Sequence, residues 1–227
     1  MEKISIDITK LRENANKSLE ESGWDAVLSP YINGLNFDYL VNKLVEEVNA
    51  GKRFTPKFKD IFNGFKYCPY DKLKVVIVGQ DPYPQLGVAD GIAFSCSNKG
   101  KAEKSLQYIN TALGTNHTDL KCWANQGVLL LNTALTVEVN KIGSHYHLWK
   151  SFIEYLFEGL NRCCPNTIFI LMGKKSQDWS THLGNSKILK CSHPASAAYS
   201  GGRWDSNDVF EKTNEELIKQ GKDCIAW

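Results

Sequence analysis

The sequence predicts an α/β fold: one domain built on a central four-stranded parallel sheet flanked by helices. Three observations carry this expectation. Four short apolar runs stand at "KVVIVG" (74–79), "GVLLLN" (127–132), "TIFILMG" (167–173) and "KILKCS" (187–192). None alternates apolar with polar residues, as expected of strands covered on both faces. Helical periodicity fills the chain between and after them, and strands alternating with helices argue for a parallel sheet.

Taken in order, residues 1–22 read as a polar, partly helical lead-in, and 23–227 as the domain. The segment "NFDYLVNKLVEEVNAG" (36–51) spaces its apolar residues as a helix does and stops on a glycine. "RFTPKFKDIFNGFKYCPYDK" (53–72) is aromatic and reads as loop. After the first strand a helix is expected over 105–114, ahead of the second strand. "HLWKSFIEYLFEGLNR" (147–162) is helical and leads to the third strand. A further helix is expected over 175–183, and "DVFEKTNEELIKQG" (208–221) forms the last. No internal repeat, linker or low-complexity segment interrupts this order.

A chain of 227 residues is long enough for one domain with a real core. A net charge of +2 permits a nucleic-acid partner without predicting one, since a local basic face can hide in a balanced total. No apolar run is long enough to cross a bilayer, so no membrane association is expected. The charged opening "MEKISIDITKLRENANKS" is unlike a secretory signal. The expected location is cytoplasmic, with the nucleus or nucleoid also open. The seven cysteines are odd in number and form no C-x-x-C pair. They read as reduced thiols, with no metal site among them.

In a parallel α/β sheet the ligand lies beyond the carboxyl ends of the strands. Directly after the first strand comes Gln80-Asp81. The second ends in Asn132, the third runs into Gly173-Lys174-Lys175, and the fourth into His193-Pro194. An acid, an amide, two lysines and an imidazole thus map to one rim. Asp81 alone could be a turn-capping acid, but Pro82 and Pro84 each fix a φ angle and bracket Tyr83. That holds a carboxylate and a ring in fixed relation. Asn132 could bond locally; its carboxamide could equally pair in two places with a base edge. His193 opens a stretch of small residues, "PASAAYSGG", that lets backbone approach a partner closely. Phe94 is by default a core aromatic, and otherwise a face on which to stack a base. Lys99, Lys101, Lys104, Lys174, Lys175 and Arg203 flank these loops, either as solvated surface or as phosphate contacts.

These residues resemble family-1 uracil-DNA glycosylase. "GQDPY" (79–83) is similar to that family's water-activating motif and "GVLLLNTALTV" (127–137) to its uracil-reading motif. "HP" (193–194) resembles the opening of its DNA-intercalation loop. Smaller echoes are "GIAFS", "SLQYIN", "WANQG", Ser144-His145 and "KTNEEL", and the likeness runs from about Trp24 to Trp227. The resemblance implies hydrolysis of the glycosidic bond of deoxyuridine in DNA after base flipping, leaving an abasic site. Asp81 would orient the attacking water and stabilise the cationic sugar. His193 would donate a hydrogen bond to uracil O2. Asn132 would read the uracil edge, Tyr83 would exclude the 5-methyl group of thymine, Phe94 would stack on the base, and the Gln80 backbone would help hold O2. Ser105, Lys174, Pro194, Ala195, Ser196, Ala197, Tyr199 and Arg203 would contact DNA. The implied partner is uracil-containing DNA, single- or double-stranded, and proteinaceous uracil-glycosylase inhibitors are a further implied partner. The chain would be a monomer and need no cofactor.

The sequence departs from the family pattern in four places. Pro84 stands where most cellular members carry histidine. "HPASAA" replaces "HPSPLS", so Ala197 occupies the register of the wedging leucine and Tyr199 is the nearest bulky residue. Lys174 replaces a small serine, and "NKGKAEKS" (98–105) replaces a proline-rich loop. Two other readings stand beside the glycosylase: a noncatalytic DNA-binding or replication accessory module on the same fold, and a glycosylase for another damaged base.

Overall fold

The structure, a computed structural model, describes residues 8–96, 100–199 and 201–227. The chain opens with helices α1 (Ile8–Glu20), α2 (Asp25–Ile32) and α3 (Leu35–Asn49), then β1 (Phe54–Thr55), α4 (Asn63–Tyr67) and β2 (Val75–Gly79). It continues through α5 (Lys104–Leu113), α6 (Lys121–Ala124), β3 (Val128–Asn132), β4 (Val137–Glu138), α7 (Tyr146–Cys163) and β5 (Ile168–Met172). The last elements are α8 (Lys174–Gln177), β6 (Lys187–Cys191) and α9 (Val209–Lys219). Strands β2, β3, β5 and β6 form one parallel sheet in the order β3-β2-β5-β6, as the apolar runs predict.

The sheet is the centre of the core. Every residue of β2, β3 and β5 is buried. Each valine, leucine or isoleucine so covered stabilises the fold by roughly 1.5–3 kcal/mol. Trp149, Phe152, Ile153, Leu156 and Phe157 of α7 are buried too, at the spacing of one helical face. Trp24, fully buried ahead of α2, donates its indole N–H to the Cys68 carbonyl at 2.7 Å, so burial leaves no unpaired polar atom there.

Three expectations need correction. Strand β6 is not covered on both faces: Lys187 and Lys190 are exposed and only Cys191 is buried. It is the sheet's edge, where lysines discourage a further strand. The aromatic segment 53–72 is structured, because its rings are core. Phe62 and Phe65 lie 6.1 and 6.0 Å from Phe152, and β1 pairs antiparallel with β4. The helix expected over 175–183 divides into α8 and a 3-10 turn at Asp178–His182. Within the lead-in, Ala15 and Leu19 of α1 are buried in the core.

Candidate active site

The order of the sheet fixes where a ligand can sit. The chain passes from β2 to β3 on one side and then returns across β2 to β5 on the other. Connections on the two sides of β2 diverge there and leave a crevice beyond the strand ends. The segments after β2, β3 and β6 line a cavity of about 310 Å³. Gln80, Asp81, Tyr83, Phe94, Ser105, Asn132, His193 and Ala195 all face it, together with Pro82, Pro84 and Ile142. The volume suits one heterocyclic base.

Asp81 is half-buried. Its Oδ2 accepts from the Gly143 backbone N–H at 2.8 Å and from the Gln80 amide at 3.2 Å. Burial raises its pKa above the ordinary carboxylate value, and these bonds, with the nearby Tyr146 hydroxyl, oppose that rise. A carboxylate held this way is a poor ion to leave in a dry cavity and a good partner for a developing cation.

Asn132 ends β3 directly opposite Gly79 of β2. A Cβ at position 79 would lie 2.5 Å from Asn132 Oδ1 and 3.1 Å from the Phe94 ring, so β2 must end in glycine for amide and ring to close over its backbone. Among the described residues the Asn132 carboxamide makes no hydrogen bond, although the residue is only 9% exposed. An amide left free in such a place is available to a ligand. Phe94 has a φ of 65°, a left-handed conformation that costs a non-glycine residue about 1–2 kcal/mol. The Tyr83 hydroxyl donates to the Phe94 carbonyl at 3.0 Å and ties the two aromatic walls together. Asp90 braces the same loop, accepting from the Ile92 N–H and, at 2.6 Å, from the Ser95 hydroxyl.

His193 lies across from this wall, its ring 6.0 Å from that of Phe94. The Ala195 N–H donates to Nδ1 at 3.2 Å. Nδ1 therefore carries no proton, and the neutral ring holds its hydrogen on Nε2. Burial pushes the imidazole pKa down, which keeps the ring neutral at physiological pH. The site thus offers a neutral N–H donor, not an imidazolium. Gly173 makes room for it: a Cβ there would meet His193 Cβ at 2.8 Å, and its φ of 90° suits glycine alone.

The residues expected on DNA divide by exposure. Lys174, Ser196, Tyr199 and Arg203 reach the surface, and Tyr199 is 94% exposed at the end of the 3-10 turn Pro194–Tyr199. Pro194 and Ala197 of the same turn are buried. There they support the turn from within. Lys101 and Lys104 are exposed, and Lys99 lies outside the described residues. Sequence reasoning missed Gly143, Tyr146 and Ile142. The first holds Asp81 from 62 residues away, and the last is 65% exposed at the cavity rim. The only sequence signal near them is the Ser144-His145 echo. Among the described residues no group of histidine, cysteine or acidic side chains could hold a metal ion, and no helix is long and apolar enough to cross a membrane.

Known proteins similar to this chain point one way. The family model described as "Uracil DNA glycosylase superfamily" matches residues 65–218. "Uracil-DNA glycosylase 1" of Listeria innocua is 37% identical over 214 residues, 90% of this chain and 96% of that protein. A "Uracil-DNA glycosylase" of Acinetobacter baumannii is 36% identical over 219 residues, 92% of each. Among solved structures, mimivirus uracil-DNA glycosylase matches with a TM-score of 0.83 at 26% identity, covering 98% of this chain and 89% of that one. A variant of mimivirus UNG in complex with UGI matches with a TM-score of 0.82 at 28% identity, covering 90% and 87%.

Proposed function

The chain belongs to the uracil DNA glycosylase superfamily, and from that premise we propose that it is the family-1 type of enzyme and works through the cavity just described. It hydrolyses the N-glycosidic bond of deoxyuridine in DNA and releases free uracil. The observation that carries this reading is the meeting of Asp81, Asn132 and His193 in one base-sized cavity.

Cleavage builds positive charge on the sugar and negative charge on the departing base. Uracil leaves as a resonance-stabilised anion, so no acid of the kind used by ordinary glycosidases is required. Asp81 faces the sugar, stabilises its charge and takes a proton from the attacking water. His193 Nε2–H faces uracil O2 and stabilises the anion without giving up its proton. Preorganised groups of this kind are typically worth roughly 2.7–4 kcal/mol each. Phe94 stacks on the base. Tyr83, fixed by its bond to the Phe94 carbonyl, fills the space a 5-methyl group would need. Tyr83→Ala is expected to release thymine from a thymine-containing oligonucleotide, and no thymine release would refute that role. An accessory module that only binds DNA has no need of a buried carboxylate aimed at an apolar cavity.

The base must leave the helix to reach this cavity. Tyr199, 94% exposed at the end of the turn that follows His193, fills the gap in the stack. Tyr199→Ala is expected to slow cleavage of a duplex substrate about tenfold while sparing single-stranded DNA, since unstacking costs a few kcal/mol only in the duplex. Equal loss on both substrates would refute the assignment. Ser105, Ser196, Lys174 and Arg203 grip the backbone. A proteinaceous inhibitor such as UGI would bind over the same face. The test of the reading as a whole is release of uracil from oligonucleotides carrying a single uracil, in both single and double strands. A protein that binds these strands and leaves the base in place would overturn it.

A further inference from the structure

Two buried polar atoms of the site lack a hydrogen-bond partner, and their chemistries are complementary. One is Asp81 Oδ1, an acceptor; the other is the Tyr146 hydroxyl, a donor. The opposite oxygen of the carboxylate, Oδ2, is already held by Gly143 and Gln80. Tyr146 stands behind that arrangement. Its ring lies 3.5 Å from where a Gly143 Cβ would be, against the same glycine whose N–H holds Asp81. It faces the carboxylate closely enough for the two groups to shift each other's titration.

The start of α7 holds Tyr146 still. His145, the residue before it, is fully buried and bonded at both ring nitrogens. Nε2 donates to Glu47 Oε2 at 2.9 Å and Nδ1 accepts from the Thr136 hydroxyl at 2.9 Å. The Trp149 indole donates in turn to Thr136 Oγ1 at 2.7 Å.

We propose that Tyr146 is a positioning residue for the hydrolysis: its hydroxyl donates to Asp81 Oδ1 and so fixes the face of the carboxylate turned to the sugar. The inference rests on the reading of Asp81 given above. The bond satisfies both orphaned atoms, which low-dielectric surroundings make expensive to leave unpaired. It also favours the ionised carboxylate, the form that can accept a proton from water. Tyr146 keeps its own proton, since burial and the neighbouring carboxylate raise its pKa well above the ordinary phenol value.

The hydroxyl makes no other bond to the described protein, so Tyr146→Phe should fold normally, with an unchanged melting curve. Single-turnover cleavage is expected to fall about tenfold, as for loss of one charge-assisted hydrogen bond, with KM for uracil-containing DNA unchanged. The acid limb of the pH–rate profile should move to higher pH, because the carboxylate loses a donor that lowers its pKa. The other titratable groups facing the cavity are Tyr83 and His193. Behind Tyr146, a second cavity is lined by His147, Lys150, Lys175, Asp178 and His182. In an Asp81→Asn background the same substitution should have no further effect, since Tyr146 acts through Asp81. A Tyr146→Phe variant with the parental rate and an unmoved acid limb overturns the proposal. So do a lower rate with the limb in place, and losses that simply multiply in the double variant. Full activity of Asp81→Asn alone would instead overturn the reading of Asp81.

Discussion

Asp81→Asn lowers single-turnover release of uracil on the order of 10²- to 10³-fold, the usual effect of removing one preorganised group from a charge-developing transition state. The amide keeps an oxygen to accept from the Gly143 N–H, so the turn after β2 survives. What disappears is the negative charge beside the sugar and the base that takes the proton of water. Binding to uracil-containing DNA should change little, because the contacts to base and backbone lie elsewhere. The variant should also melt at a higher temperature than the parent. Burial raises the pKa of Asp81 in the folded chain. Folding therefore takes up a proton between the unfolded and the folded pKa, and stability falls as pH rises through that window. At neutral pH the whole cost of the buried charge is present, and an amide removes it. A variant that turned over at the parental rate would show that the cation is stabilised by another group. One that lost DNA binding as well would show that Asp81 is structural.

The cost of holding that charge explains which parts of the site could be read from the sequence. Strand β2 was legible because "VVIVG" is a buried run closed by turn residues. The position of Asp81 followed from the rule that parallel sheets bind beyond their strand ends. Asn132 was legible for the same reason, and the register that sets it against Gly79 follows from two runs of equal length side by side. What stays hidden is whatever depends on the chain returning from far away. The Gly143 N–H reaches Asp81 from 62 residues along, and nothing in "KIGSHYHLW" marks one glycine as a holder of acid or one tyrosine as its neighbour. The aromatic density of 53–72 read as loop because periodicity is lost when helices are as short as α4. Helix α2 is masked by Pro30 in its interior, which normally argues against a helix. The burial of Ala197 inside its turn has no sequence signal either, since a small residue suits a covered turn and an open one alike.

Asn132→Asp changes which base the cavity accepts. Uracil presents an N3–H donor beside the O4 acceptor; a carboxamide answers with its oxygen and its NH₂, making two bonds at once. Cytosine presents the reverse, an N3 acceptor beside an N4 amino donor, so against the amide in the orientation that pairs with uracil each donor meets a donor and each acceptor an acceptor. A carboxylate has no donor to offer O4, and uracil release should fall on the order of 10²-fold, the worth of one well-made bidentate pair. A protonated carboxyl group can donate to cytosine N3 and accept from its amino group. Position 132 is only 9% exposed, and burial raises the pKa of a carboxyl placed there. Its protonated fraction therefore grows as pH falls, and release of cytosine from an oligonucleotide without uracil should appear and strengthen toward acid. That trend holds until protonation of Asp81 removes the base that accepts the proton of water, so the rate on cytosine should pass through a maximum. A variant that releases uracil as well as the parent and leaves cytosine untouched at every pH would show that discrimination is made by the shape of the cavity, through Tyr83 and Phe94, and not by the amide.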